Sequence, residues 1–338
     1  MWVKDFFIAR GGKIMKKIIL STTLALSLAM LVGCSTKDKA EKKIDDGKYK
    51  VGIVQYMDQI SLDNAKKGFI DGLKEEGIDA EIEVQNENGD STLTTTVPKK
   101  FQSDDVDLVY AIATPAAQGA KTALPNKNII FSAVTDPVAA GLVESKDKIT
   151  KITGVTDAVP IRNHLKTLLE LNPNIKTLGL IYSTFEKNSL VQLEEVKKIC
   201  KDMELDLEYV GINNINEISQ AIASISGKID ALYALTDNTV ASAAPIISKT
   251  LNEEKIISLS AEEGQVTNGL LMSEGVDYYL HGKQAAKMAA RVLKGEDIKN
   301  ISVEGNKENV KKVNKKTAQA LGIDLNSQIF KGAEIVGD

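Results

Sequence analysis

The sequence predicts an α/β protein of two doubly wound parallel-sheet lobes. Three observations predict it. From Tyr49 onward, short apolar runs rich in β-formers alternate with helical stretches. The alternation restarts near Pro160, and there are too many runs for one compact sheet. The runs end in small polar residues, as parallel strands do where a ligand is held beyond their carboxyl ends.

In order, Val51 to Tyr56 reads as a strand, and Leu62 to Glu76 as a helix capped by Ser61 and stopped by Gly77. Ala80 to Val84 alternates as a strand. Ser91 to Gln102 has a helical pattern that its threonines and Pro98 oppose. Leu108 to Ala113 and Ile129 to Val134 are buried strands around one helix, which Pro115 opens with Thr114 at the N-cap. Lys151 to Val155 is a short strand. The second group begins with helix Ile161 to Leu171, strand Thr177 to Tyr182, helix Ser189 to Met203 and strand Leu205 to Val210. It continues with helix Glu217 to Ile225, strand Asp230 to Leu235, helix Val240 to Glu253, and strands Ile256 to Leu259 and Leu270 to Ser273. A long helix, Tyr278 to Leu293, stops at Gly295, and a last helix covers Asn309 to Leu321.

Ahead of this fold, Met15 starts two lysines, an apolar run from Ile18 to Val32 and the lipobox Leu31-Val32-Gly33-Cys34. The pattern resembles bacterial lipoprotein precursors, which implies cleavage before Cys34 and lipid on its thiol. Met15 is expected to be the true start, since Met15-Lys16-Lys17 is already a complete n-region. Residues 1–33 form the signal, and residues 34–48 the lipidated cysteine and a charged tether with a reach on the order of 20 Å. The net charge of −4 becomes about −8 once the basic signal is removed. Basic residues form no patch, which argues against nucleic acid. Cys200 on a helical pattern reads as a buried, inert thiol.

Catalytic arrangements are absent from the pattern. His164 and His281 lie on helices in no zinc spacing, and exposed or capping roles are expected for them. There is no Gly-rich phosphate loop, G-x-S-x-G elbow or Cys/His cluster, so no enzyme activity, metal or cofactor is expected. Polar groups recur instead at strand ends. In the first half these are Tyr56 and Gln59, Thr114 and Ala116 at a helix start, and Thr135 with Asp136. In the second half they are Tyr182 and Ser183, Thr236, Asp237 and Asn238, and Ser260 with Glu262. The two sets are expected to face each other across a cleft. Asp237→Ala is expected to weaken binding more than folding, because a strand-end carboxylate facing solvent supports little core.

Six stretches carry a specific resemblance: Val51 to Gly72, IATPAAQ (Ile112 to Gln118), AVTDPVAAGLV (Ala133 to Val143), ITGVTDAVPI (Ile152 to Ile161), YALTDNTVASA (Tyr233 to Ala243) and GVDYYLHGKQAA (Gly275 to Ala286). In this order they resemble the ABC-transporter substrate-binding lipoproteins of the tryptophan/tyrosine-type family. The resemblance implies a type I periplasmic-binding-protein fold, with lobes joined by three hinge crossings near Asp157, near Gly275 and after Ile301. Lobe 1 would then be residues 49–157 plus 276–302, and lobe 2 residues 158–275 plus 303–338. It also implies an extracytoplasmic, membrane-anchored protein that carries an aromatic or other amino acid to permease subunits. For such a ligand, Thr114, Ala116 and Thr135 suit the α-carboxylate, Asp136, Asp237 or Glu262 the ammonium, and Tyr56 and Tyr182 the side chain. Two alternatives stay open: a sensor that presents its solute to a membrane receptor, and a sugar or nucleoside binder on the same fold.

Overall fold

The structure, a computed structural model, describes residues 48–307 and 309–337. The signal segment, Cys34 and most of the tether lie outside them. The first group of elements is β1 (Tyr49–Gln55), α1 (Ile60–Glu75), β2 (Ala80–Asn86), α2 (Lys100–Ser103), β3 (Leu108–Ile112), α3 (Thr114–Ala123), β4 (Ile129–Ser132) and β5 (Ile152–Thr156). The second is α4 (Ile161–Leu171), β6 (Thr177–Ser183), α5 (Lys187–Asp202), β7 (Asp206–Ile212), α6 (Ile218–Ile225), β8 (Ala231–Ala234), α7 (Asn238–Ser242), α8 (Ala244–Glu253), β9 (Ile257–Glu262), α9 (Glu263–Thr267) and β10 (Met272–Val276). Then come α10 (Tyr278–Leu293), β11 (Glu304–Gly305), β12 (Asn309–Asn314), α11 (Lys315–Leu321) and β13 (Glu334–Val336).

The strands form two sheets. One has the order β11-β5-β4-β3-β1-β2 and is parallel throughout. The other has the order β13-β12-β10-β9-β8-β6-β7, with β12 antiparallel to β10. Helices cover both faces, so β3, β4 and β8 are buried along their whole length and read as unbroken apolar runs.

The chain passes between sheets three times: after β5, after β10 and after β11. The third passage lies past Gly305 rather than directly after Ile301, because Glu304 and Gly305 add an edge strand beside Val155 and Thr156.

Helix α10 returns to the first lobe and packs along α1. The approach is set by glycines: a Cβ at Gly68 would lie 1.9 Å from the Tyr279 carbonyl oxygen, and one at Gly282 would lie 2.0 Å from that of Ala65. Ridges of ordinary side chains would hold the two backbones further apart. Phe69 and Leu73 of α1 and Ala285, Ala286 and Ala289 of α10 are buried in one shared core.

Two expected helices are corrected. Residues 91–96 are turns, followed by one 3₁₀ turn and the short α2, because four threonines and Pro98 outweigh the periodicity. Asn309 to Asn314 is strand β12, since its backbone completes the open edge of β10, and only Lys315–Leu321 is helical.

Candidate functional site

The carboxyl ends of the two sheets face each other. On the first lobe, β1 runs into Tyr56, which is buried and donates its hydroxyl to the Gly89 carbonyl at 3.0 Å. Gln59, rather than Ser61, caps α1 by accepting from the Ser61 N–H at 2.8 Å. The cap of α3 is Ala113 at φ +85°, so Thr114 is the first helical residue and its buried hydroxyl has no protein partner. Ala133, at the end of β4, is also left-handed at φ +54°. Alanine pays a strain cost in this region, and here both cases sit at strand ends on one rim.

The second rim is built on two buried carboxylates. Asp237 caps α7 by accepting from the Val240 N–H at 2.9 Å. It also accepts from the Ser183 N–H at 2.6 Å, the Ser183 hydroxyl at 2.8 Å and the Ser189 hydroxyl at 2.6 Å. Glu186 accepts from the N–H groups of Asn238 and Thr239, both at 3.1 Å, and from their side chains at 2.6 and 3.0 Å. Gln192 holds Thr236 by three hydrogen bonds, its amide donating to the hydroxyl at 2.7 Å and to the carbonyl at 3.4 Å, and its own carbonyl accepting from the N–H at 3.2 Å. The rim is therefore rigid before any ligand is considered.

The rims touch. The hydroxyls of Thr135 and Thr236 are 2.9 Å apart, and Asn64 on α1 donates to Glu263 at 3.1 Å. At the hinge, the Tyr278 hydroxyl donates to Asp157 at 2.8 Å, joining the second passage to the first. His281, one turn further along α10, accepts from the Ala133 N–H at 3.1 Å and lies 3.2 Å from the side-chain oxygen of Asn306 in the third passage. The first turn of α10 thus ties all three passages together.

Several buried polar atoms at this junction have no protein partner: both carboxyl oxygens of Glu87, one each of Asp157 and Glu262, the Thr114 and Ser61 hydroxyls, and the Gln59 amide nitrogen. Orphaned buried polar atoms are scarce in folded proteins, so a group of them calls for partners that the protein itself does not supply. Burial pushes the Glu87 carboxyl up to about 8. Burial and the Asp237 charge push Glu186 up to about 7. Burial, followed by the Asp157 carboxyl, raises Glu262 well above the usual range, and burial raises Asp157. Tyr56 is raised by burial and then by Glu186 and Glu87, which places its hydroxyl in the field of both lobes.

The residues expected from strand ends divide accordingly. Tyr56, Gln59, Thr114, Thr135, Thr236 and Glu262 stand at the junction. Ala116 is fully buried in α3 and offers its backbone alone. Ser183, Asn238 and Ser260 are buried and bonded inside the second rim, Ser260 to the backbone of Glu262 at 2.9 Å. Asp136 accepts at one oxygen from the N–H groups of Val138 and Ala139, at 3.0 and 2.9 Å. Two expectations are corrected. Asp237 does not face solvent, and its four donors occupy both oxygens. Tyr182 turns away from the junction and lies against Tyr209 of β7, ring centroids 6.4 Å apart. Glu87 and Glu186 were not expected. Glu87 follows β2 directly, and reading that strand to Asn86 instead of Val84 would have found it.

The histidines are neither exposed nor capping. Each is 1% exposed, and burial holds both at about 4. His164 Nδ1 lies 3.0 Å from the Tyr233 hydroxyl. Cys200 is buried, its thiol pushed up to about 11. Among the described residues no metal-binding cluster forms, and no helix is long and apolar enough to cross a membrane.

These shifts give a pH dependence. A histidine held below its unfolded value contributes stability above about pH 6.5 and loses it as pH falls toward 4. A carboxyl held above its unfolded value does the opposite: its contribution is whole below about 4.5 and is lost as pH rises through 7 for Glu186 and 8 for Glu87. Between pH 6.5 and 8 the carboxyls act alone. Calorimetric melting of the ligand-free protein should lose on the order of 1 kcal/mol per pH unit in that window. A flat profile there would remove the buried-carboxyl account.

A family model described as ABC transporter substrate binding protein matches residues 50–336. A tyrosine-binding protein of Clostridioides difficile is 40% identical, covering 91% of this chain and 93% of its own. Among solved structures, an ABC domain in complex with L-Trp from Streptococcus pneumonia is 34% identical, with TM-score 0.81 over 86% of this chain and 100% of that one. The ligand-free, open structure of a substrate binding protein with adhesive properties from Clostridium difficile is 36% identical, yet its TM-score is 0.67 over 86% and 99%. This chain, whose rims touch, is thus closer in shape to the ligand complex than to the open form.

Proposed function

The chain belongs to the family of ABC transporter substrate binding proteins, and from that membership we propose that it captures an aromatic amino acid between its lobes and hands it to a membrane permease. Lipid on Cys34 would hold it at the extracytoplasmic face of the cell membrane. It catalyses nothing. The observation that carries the reading is the set of buried, unpartnered polar atoms where the rims meet. Carboxyl oxygens suit an ammonium. The Thr114 hydroxyl at the start of α3 lies where helix N–H groups receive a carboxylate.

An aromatic side chain burying roughly 150 to 250 Å² contributes about 4 to 6 kcal/mol before ordering costs. Micromolar binding needs about 8 kcal/mol, so the charged end supplies the remainder. Thermal unfolding against L-tyrosine, L-tryptophan, L-phenylalanine and a set of sugars and nucleosides tests the reading. At about 1,000 times its dissociation constant, a true ligand adds about 4 kcal/mol and raises the midpoint by several degrees. A shift with sugars or nucleosides alone would reject the amino-acid ligand.

A further inference from the structure

Five carboxyl side chains, Glu87, Asp157, Glu186, Asp237 and Glu262, are each at most 2% exposed where the rims meet. Among the described residues no ion pair reaches any of them. The nearest in sequence, Lys312 with Glu263 at 2.7 Å, serves the neighbour of Glu262. Asp237 and Glu186 are filled by protein donors. Asp157 has given one oxygen to Tyr278. Glu87 alone has both oxygens unpartnered.

Its position is fixed by the backbone. The Glu87 N–H donates to the Gln55 carbonyl at 3.0 Å, one step beyond the β1–β2 ladder, which sets the residue at the carboxyl end of the sheet. Glu87 acts on Tyr56, from the segment after β1, and the other groups that act on that same hydroxyl are Asp90 in the loop after β2 and Glu186 and Asp237 of the opposite rim. Every one is acidic. A carboxylate in that company has no cation to hold it, so the side chain keeps its proton in the free protein, in line with a value near 8.

We propose that the cleft selects ligands bearing a free ammonium group and that Glu87 receives it, releasing a proton to water as the ligand enters. This rests on the amino-acid reading above and adds to it the group recognised and the proton released. The O–H bond of the Glu87 carboxyl breaks, its proton goes to solvent, and an ammonium N–H takes over as donor to the carboxylate. No electrons are exchanged.

Calorimetric titration with L-tyrosine and L-tryptophan, at pH 7 in two buffers of different ionisation enthalpy, tests it. The expected result is release of close to one proton per ligand and affinity that falls about tenfold per unit below pH 7. The deamino analogue 3-(4-hydroxyphenyl)propionate should not bind measurably. Glu87→Gln should abolish the proton release and flatten the pH profile. Because glutamine matches the neutral acid in shape, that variant should fold; the two-buffer measurement on the unaltered protein tests the proton release without it. Binding without proton release, or release that survives in Glu87→Gln, overturns the proposal and leaves the amino-acid reading intact. Failure of both amino acids to bind at pH 8 overturns both.

Discussion

Asp237→Ala should lower the melting temperature by roughly 10 °C, far more than a surface carboxylate could. The substitution strips the acceptor from two backbone N–H groups, of Ser183 and Val240, and from the hydroxyls of Ser183 and Ser189, all buried. The hydroxyls can turn to other acceptors. The N–H groups cannot, and each buried orphan costs about 1 to 3 kcal/mol, for a total near 4 kcal/mol. The loss falls on the second lobe, since the four donors join β6, α5 and α7. Scanning calorimetry reads the effect, and an unchanged midpoint would show that the carboxylate only faces ligand. Relief of buried charge is not a rescue here, because the donors remain when the acceptor is gone.

Gly282→Leu should be more damaging still. The first added carbon would lie 2.0 Å from the Ala65 carbonyl oxygen, a backbone atom that moves only if α1 moves. Separating α1 from α10 would open the packing around Phe69 and Leu73, with an expected loss above about 4 kcal/mol. Failure to accumulate as soluble protein is the expected outcome, or a melting point lowered by more than roughly 10 °C. Gly227→Ala is the matched control. Nothing lies within 4 Å of its Cβ position, so its midpoint should stay within about a degree or two. Equal behaviour of the two variants would mean that the helices tolerate wider spacing.

The lobes were legible because buried parallel strands and amphipathic helices have distinct local patterns, and Pro160 separates the two series. The rule that ligands sit beyond strand carboxyl ends pointed to Tyr56, Thr114, Thr135 and Glu262, which lie where the rims meet. It says nothing about direction. Asp237 and Tyr182 obey the rule, yet one turns into its own rim because β6 and α5 bring Ser183 and Ser189 to it, and the other lies against Tyr209. Such choices depend on neighbours distant in the chain. Asn309 to Asn314 shows the same limit in secondary structure, since its strand exists because β10 offers an edge. Glu87 lies just past β2, which runs two residues beyond the alternation that ends at Val84.

The pairing of α1 with α10 also orders events in time. The glycine face of α1 waits for a partner made roughly 200 residues later, and β11 reaches the first sheet later again. An interrupted chain therefore does not leave one finished lobe and one missing lobe. It leaves two unfinished ones, which ties the fate of the whole fold to the synthesis of its last quarter.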